Sequence, residues 1–229
     1  MEGPGLGKAK RMTRLSDEPF RPLRALSLFA TTLAVGGVAA AELARFGAAS
    51  SASAADTGLT LLLVGLLPLA LTLCLLRFEP EPHGLVVLLG QSRKTLVLRA
   101  WAIVTFGAAL FTVICTAALL IWTRTPKDPR LTADLLVSLP ISLGAVCSTI
   151  ALFAAARAWG GKLGLIAALI LSWTLGQSDV VVSALLPNGH VRHLLGVGEP
   201  LPISPSLSAA CLAGFCALYL LVLLRRVPS

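Results

Sequence analysis

The chain has 229 residues, 56% of them hydrophobic and only 13% charged. Soluble domains carry roughly a quarter charged residues, so about half the usual charge is missing. A helix crossing the hydrocarbon core takes about 20 residues, so six crossings would use about 120 of the chain. These proportions point to an all-α polytopic membrane protein. They exclude a soluble enzyme with a large polar surface, a disordered chain and a disulfide-rich secreted module. Nineteen Lys and Arg against eleven Asp and Glu give a formal charge of +8. On a soluble chain that balance would suggest nucleic acid. Here the positive charges sit between apolar runs, as in loops near a membrane face, and no nucleic-acid partner is expected.

In chain order, residues 1–19 read as a basic, cytoplasmic, disordered tail, and 20–229 as a single transmembrane domain. Uncharged windows mark the spans. Arg24 to Glu42 encloses 17 uncharged residues, Asp56 to Arg77 encloses 20, and Arg99 to Arg124 encloses 24. Asp134 to Arg157 encloses 22, Lys162 to Asp179 only 16, and Glu199 to Arg225 encloses 25. The spacing predicts six spans near 24–46, 58–77, 100–122, 135–157, 163–178 and 205–224, the fifth needing tilt or a polar end. The first apolar run is followed by Glu42 and Arg45 where a signal-peptide cleavage site would need small residues, so an uncleaved span is expected. Glu42 and Arg45, spaced i, i+3, are expected to pair. Gly47 to Asp56 and Pro126 to Asp134 read as short outer loops.

Fourteen Lys and Arg fall on the side of the amino terminus, the second-to-third connection, the fourth-to-fifth connection and the carboxyl end. Five fall on the other side: Arg45, Arg124, Lys127, Arg130 and Arg192. The positive-inside rule then predicts that both termini are cytoplasmic. Gly36 with Ala40, and Gly37 with Ala41, give two small-residue registers in span one that allow close helix packing and hint at a homodimer. The five cysteines lie inside apolar runs without zinc-ligand spacing and read as small buried hydrophobes.

No catalytic constellation is present, and no cofactor or metal site is expected in this chain. Gly3 to Lys8 reads G-P-G-L-G-K and lacks the spacing of a phosphate-binding loop, so any nucleotide must be bound by another chain. His83 lies in a cytoplasmic loop. His190 and His193 have H-x-x-H spacing, but Asn188-Gly189 just ahead argues for a turn, and both read as solvated loop histidines.

The most specific segment is Phe78 to Leu98, R-F-E-P-E-P-H-G-L-V-V-L-L-G-Q-S-R-K-T-L-V-L-R with its flanking arginines. Leu85, Leu88 and Leu89 share one helical face, with Glu79 and Glu81 ahead at the positive end of the helix dipole. That pattern describes a short amphipathic helix at the membrane surface; an ordinary interfacial loop is the alternative. Glu79, Glu81, Gly84, Leu85, Leu88, Leu89, Ser92, Arg93 and Arg99 follow in order a pattern like E-x-E-x-G-T-L-E-x-L-L-x-x-P-x-S-R and a later basic residue. In this respect the chain resembles the permease subunits of type-2 ABC exporters. It departs from them at Val86, Val87 and Gln91, and by one residue of spacing.

The resemblance implies that Glu79, Glu81, Gly84, Leu85, Leu88, Leu89, Ser92 and Arg93 form a coupling helix docking on a separate ATPase subunit, which holds ATP-Mg. It further implies an amphipathic, interfacial helix around Phe20 to Leu28, and a homodimer or pseudo-symmetric permease pair embedded in membrane lipid. Val180 to Leu186, a Pro187-Asn188-Gly189 turn and Val191 to Pro202 would form a pair of short re-entrant helices before span six. A seven-residue helix reaches about 10 Å, a third of the hydrocarbon core, and can only dip in and return. Gln177, Ser178 and Asp179 either line a polar outer exit or gate, or are merely interfacial. The alternatives are a haem-exporter B-type permease of cytochrome c maturation, which the Arg157 to Lys162 turn faintly resembles, and a non-transporting membrane scaffold.

Overall fold

The computed structural model describes residues 21–48, 50–77, 93–124, 130–176, 181–197 and 201–226. They form helices α1 (Arg21–Gly47), α2 (Ser51–Arg77), α3 (Arg93–Thr123), α4 (Leu131–Thr174), α5 (Pro187–Leu195) and α6 (Pro205–Arg226), with a 3₁₀ turn at Val181–Leu185. No strand occurs among the described residues. Five of the helices (all but α5) are long and apolar enough to cross a membrane. Backbone polar groups in hydrocarbon must be satisfied within the segment, which a helix does by itself. The chain is an integral membrane protein.

α1 and α2 run antiparallel: Gly36 lies under Leu66, and Gly37 faces Leu62 at ordinary van der Waals distance. Ala40 and Ala41 are buried. Both small-residue registers of span one thus meet α2 at their glycines, and Gly37 and Ala41 also border a cleft toward α3. α3 runs alongside α1, with Gly107 against Leu26 and the Phe29 and Phe111 rings edge to face at 6.4 Å. The core between them is almost wholly aliphatic, centred on Phe29, Leu33, Leu63, Leu67, Leu71, Val104 and Phe153.

Two local features differ from the expected pattern. The Ala/Ser stretch after α1 is mostly helix, because Ser50 and Ser53 form a reciprocal capping box that starts α2 at Ser51. The amino-terminal helix also runs unbroken from Arg21 to Gly47, so within the described residues the interfacial segment up to Leu28 and span one are one rod. Inside α2, Leu61–Leu66 widens into a π-helical turn. Pro68 explains it. Its ring crowds the carbonyl of Val64 and it has no N–H to offer, so the backbone steps to the longer i→i+5 spacing. The Gly65 carbonyl, within this turn, accepts the Trp173 indole N–H at 3.1 Å.

Spans four and five meet in α4, which is regular except at Gly161 (φ 57°, ψ −138°). The chain folds back there. A Cβ on Gly164 would strike the carbonyl oxygen of Ala156, eight residues earlier. In a straight helix those residues would stand about 12 Å apart. The levels agree as well: Asp134 meets Arg124 at one end of the bundle, Arg157 lies within electrostatic range of Cys74 near the other, and Trp173 is back at mid-bundle beside Gly65. The returning arm, 162–174, is only about 20 Å long.

Gly161→Val should lower stability by about 1–3 kcal/mol, since only glycine reaches this backbone region without strain. Gly160→Ala, one residue earlier in helical conformation with open space beside it, should be neutral or stabilising. Thermal unfolding of the two variants in detergent provides the comparison; equal behaviour would mean the reversal does not depend on Gly161.

Candidate functional site

Most of the sequence-derived site lies outside the described residues: Glu79, Glu81, Gly84, Leu85, Leu88, Leu89 and Ser92, and also Gln177, Ser178 and Asp179. Arg93 is the first residue of α3. The antiparallel course of α2 and α3 brings Arg77 and Arg93 to the same end of the bundle, so the 78–92 connection is tethered there at both ends.

At the opposite end, three charged residues that sequence reading used only to delimit apolar windows come together. Arg124 Nη2 lies 2.7 Å from Asp134 Oδ2, and the arginine side chain is only 8% exposed. Asp56, near the start of α2, is within electrostatic range of both. Asp56, Asp134 and Ser138 line a polar cavity of about 150 Å³ whose far wall is Leu194 and Leu195 of α5. Below it, Thr116 and Ser142 share a buried hydroxyl hydrogen bond of 2.9 Å between α3 and α4.

α5 is the least expected element. Pro187 occupies its first turn, where the missing N–H costs nothing, so the Pro-Asn-Gly sequence opens a helix rather than closing a turn. Gly189 is required there, because a Cβ would run into the Ser183 backbone. Asn188 donates from Nδ2 to the Ser172 carbonyl at 3.1 Å, which sets the start of α5 beside the returning arm of α4. Its last residues reach the level of Asp134. At nine residues, about 13 Å, α5 is too short to cross.

His190 is a core residue, only 1% exposed, and not the solvated loop histidine expected from sequence. Nε2 lies 2.9 Å from the Ala184 carbonyl, and Nδ1 lies 3.2 Å from Ser208 Oγ on α6. A carbonyl only accepts, so Nε2 carries the proton and Nδ1 accepts from the serine hydroxyl. The ring also tilts against Phe215 at 5.6 Å. This one side chain therefore ties α5 to both the 3₁₀ turn and α6. His193 Nδ1 accepts the Leu201 N–H at 3.1 Å. The two histidines do not converge, and no metal-ligand cluster occurs among the described residues.

Burial pushes the His190 pKa below the usual histidine value, opposed by the Ala184 hydrogen bond and aided by the nearby His193. The unfolded chain then takes up a proton more readily than the folded one. Stability should fall as pH drops below about 6.5, by at most about 1.4 kcal/mol per pH unit for one proton. Unfolding midpoints in detergent between pH 7.5 and 5 test this. His190→Gln should flatten the profile, and an unchanged slope would assign the dependence to other groups.

Comparison of the chain with protein-family models, with curated proteins and with solved structures finds no match.

Proposed function

We propose that this chain is the membrane-spanning permease subunit of an ATP-driven exporter of the type-2 ABC class. α1, α2, α3, the outgoing arm of α4 and α6 cross in full, while the returning arm of α4 reaches mid-bundle and α5 carries the chain on to the outer end. Six passages thus leave both termini in the cytoplasm, and two permease subunits form the pathway. The 78–98 segment passes the stroke of a partner ATPase to α2 and α3. The Val181–Leu185 turn and α5 form the re-entrant pair before the last span.

The observation that carries this reading is α5. A short, buried helix that runs from mid-bundle to one end, just before the last long helix, is the irregular backbone such a permease is expected to have. Buried inside protein, it escapes the penalty of exposing backbone to lipid. The sequence pattern from Glu79 to Arg93 adds the docking element at the opposite end. The chain has no nucleotide motif of its own, which fits a division of labour with a separate ATPase.

Expression of the tagged full chain together with the reading frames that flank it, followed by detergent purification, tests the proposal. A copurifying P-loop ATPase whose hydrolysis is altered by the complex is the expected result. A chain that purifies without any ATPase, and whose flanking frames encode none, would favour the scaffold reading instead.

A further inference from the structure

We propose that the cleft between α1 and α3 is a binding site for one acyl chain of a zwitterionic phospholipid, with its head group held by Glu42 and Arg45. The two helices meet at the Phe29–Phe111 ring pair. Further along, the Trp122 indole donates its N–H to Glu42 Oε1 at 2.9 Å. Between these points lies an apolar cleft of about 300 Å³, with Gly37 and Ala41 on one wall and Ile114, Cys115, Ala118 and Trp122 on the other.

Its dimensions select the occupant. From Phe111 to Trp122 the cleft runs about 16 Å along α3, half of the ~30 Å hydrocarbon core and hence the depth of one leaflet. A single extended hydrocarbon chain fits both the length and the narrow section. The space exists because the facing residues are small: Gly37, Ala41 and Ala118 leave a gap beside the contacts that α2 makes through Leu66 at Gly36 and Leu62 at Gly37.

The mouth supplies the head-group chemistry. Arg45 Nη1 stands 3.8 Å from Glu42 Oε1, a loose pair with side chains 51% and 40% exposed. The guanidinium also lies over the Trp122 ring at 5.9 Å. Among the described residues, the second Glu42 oxygen and the other Arg45 N–H groups have no partner. A carboxylate oxygen beside a guanidinium, both facing out at the end of an acyl-chain cleft, matches an ammonium beside a phosphate. An anionic head group would bring a second negative charge to Glu42, and would be disfavoured. The indole anchors this level, as tryptophan does where hydrocarbon meets head groups.

The site rests on membrane insertion and on no particular transport function. Lipid retention is read without any ATPase, so its failure would leave the permease reading standing. The experiment is native mass spectrometry of the full chain in detergent with equal amounts of phosphatidylethanolamine and phosphatidylglycerol. One phosphatidylethanolamine should be retained per chain, roughly tenfold over phosphatidylglycerol, a tenfold ratio being about 1.4 kcal/mol. Ala118→Phe, filling the cleft from an exposed position, should remove the retained lipid, whereas Leu136→Phe on exposed α4 surface should not. Glu42→Gln with Arg45→Gln should bring the two lipids to equal retention. Phosphatidylethanolamine with brominated chains should quench wild-type tryptophan fluorescence more than that of Trp122→Phe, which keeps a measurement in hand if the filled variant misfolds. Equal retention of both lipids by the wild type, or full retention by a folded Ala118→Phe, would overturn the site. Persisting preference in the Glu42/Arg45 variant would overturn the head-group assignment.

Discussion

Leu88→Glu combined with Leu89→Glu is expected to abolish copurification of the ATPase while leaving membrane insertion intact. On the permease reading these leucines enter a groove on the partner, and each buried leucine contributes about 1.5–3 kcal/mol. Two carboxylates in the same groove add a desolvation penalty to that loss, enough to turn a micromolar complex into one that does not survive detergent. Insertion should not suffer, because α2 ends at Arg77 and α3 starts at Arg93, so neither leucine belongs to a membrane-crossing helix. Arg93→Ala should weaken binding less, since rim charges act mainly on orientation and association rate. The measurement is pull-down of the ATPase beside a topology reporter at the carboxyl terminus. Wild-type stoichiometry and undiminished ATP hydrolysis in the double variant would remove the coupling assignment.

What could be read from the sequence follows from how each signal arises. The long helices were legible because a membrane-crossing rod must be uncharged for about 20 residues, and that demand is local. The Glu42–Arg45 pair was legible for the same reason, its spacing being set by the helix itself. The polar cluster was not. Asp56 and Asp134 lie on α2 and α4 and Arg124 just past the end of α3, and their convergence depends on helix order and tilt. A search for uncharged windows treats such residues as edges and cannot show that the edges meet. A better use of the same information would have noticed that all three edges fall at one end of an antiparallel bundle, where charges of opposite sign must find each other.

His190 and α5 failed for a different reason. Asn-Gly is a strong turn signal when the flanking chain is solvated. Here Gly189 is needed for close approach to Ser183, and the Asn188 amide reaches across to Ser172. Tertiary contacts thus overrode the local preference. The one local clue was Pro187, which suits the first turn of a helix. The π turn at Leu61–Leu66 had its cause in view, Pro68, but the contact made there, from the Trp173 indole to the Gly65 carbonyl, depends on the reversal at Gly161 more than ninety residues later.

Asp134→Ala is expected to be among the most destabilising single changes in the bundle. It removes the 2.7 Å partner of Arg124, whose guanidinium is buried at 8% exposure. Breaking a buried pair by deleting one member costs about 3–5 kcal/mol where the remaining charge has no other compensation. Asp134 is 30% exposed, so water can reach part of the gap, and Asp56 stays within electrostatic range of Arg124, so the lower end of that range is expected. For a chain of this size about 3 kcal/mol corresponds to a fall of about 6–12 °C in the unfolding midpoint. Asp134→Asn keeps an acceptor for the guanidinium and should cost less. Replacing both partners by leucine should cost less than the two single changes together, since no charge is then left buried. The damage should also spread in one direction. Leu194 and Leu195 line the cavity that Asp134 and Asp56 complete, so amide exchange should accelerate over 190–195 of α5 before it does in α1. A midpoint within a degree or two of wild type would mean that Arg124 does not depend on Asp134 for its compensation, and uniform exchange across the bundle would detach α5 from the cluster.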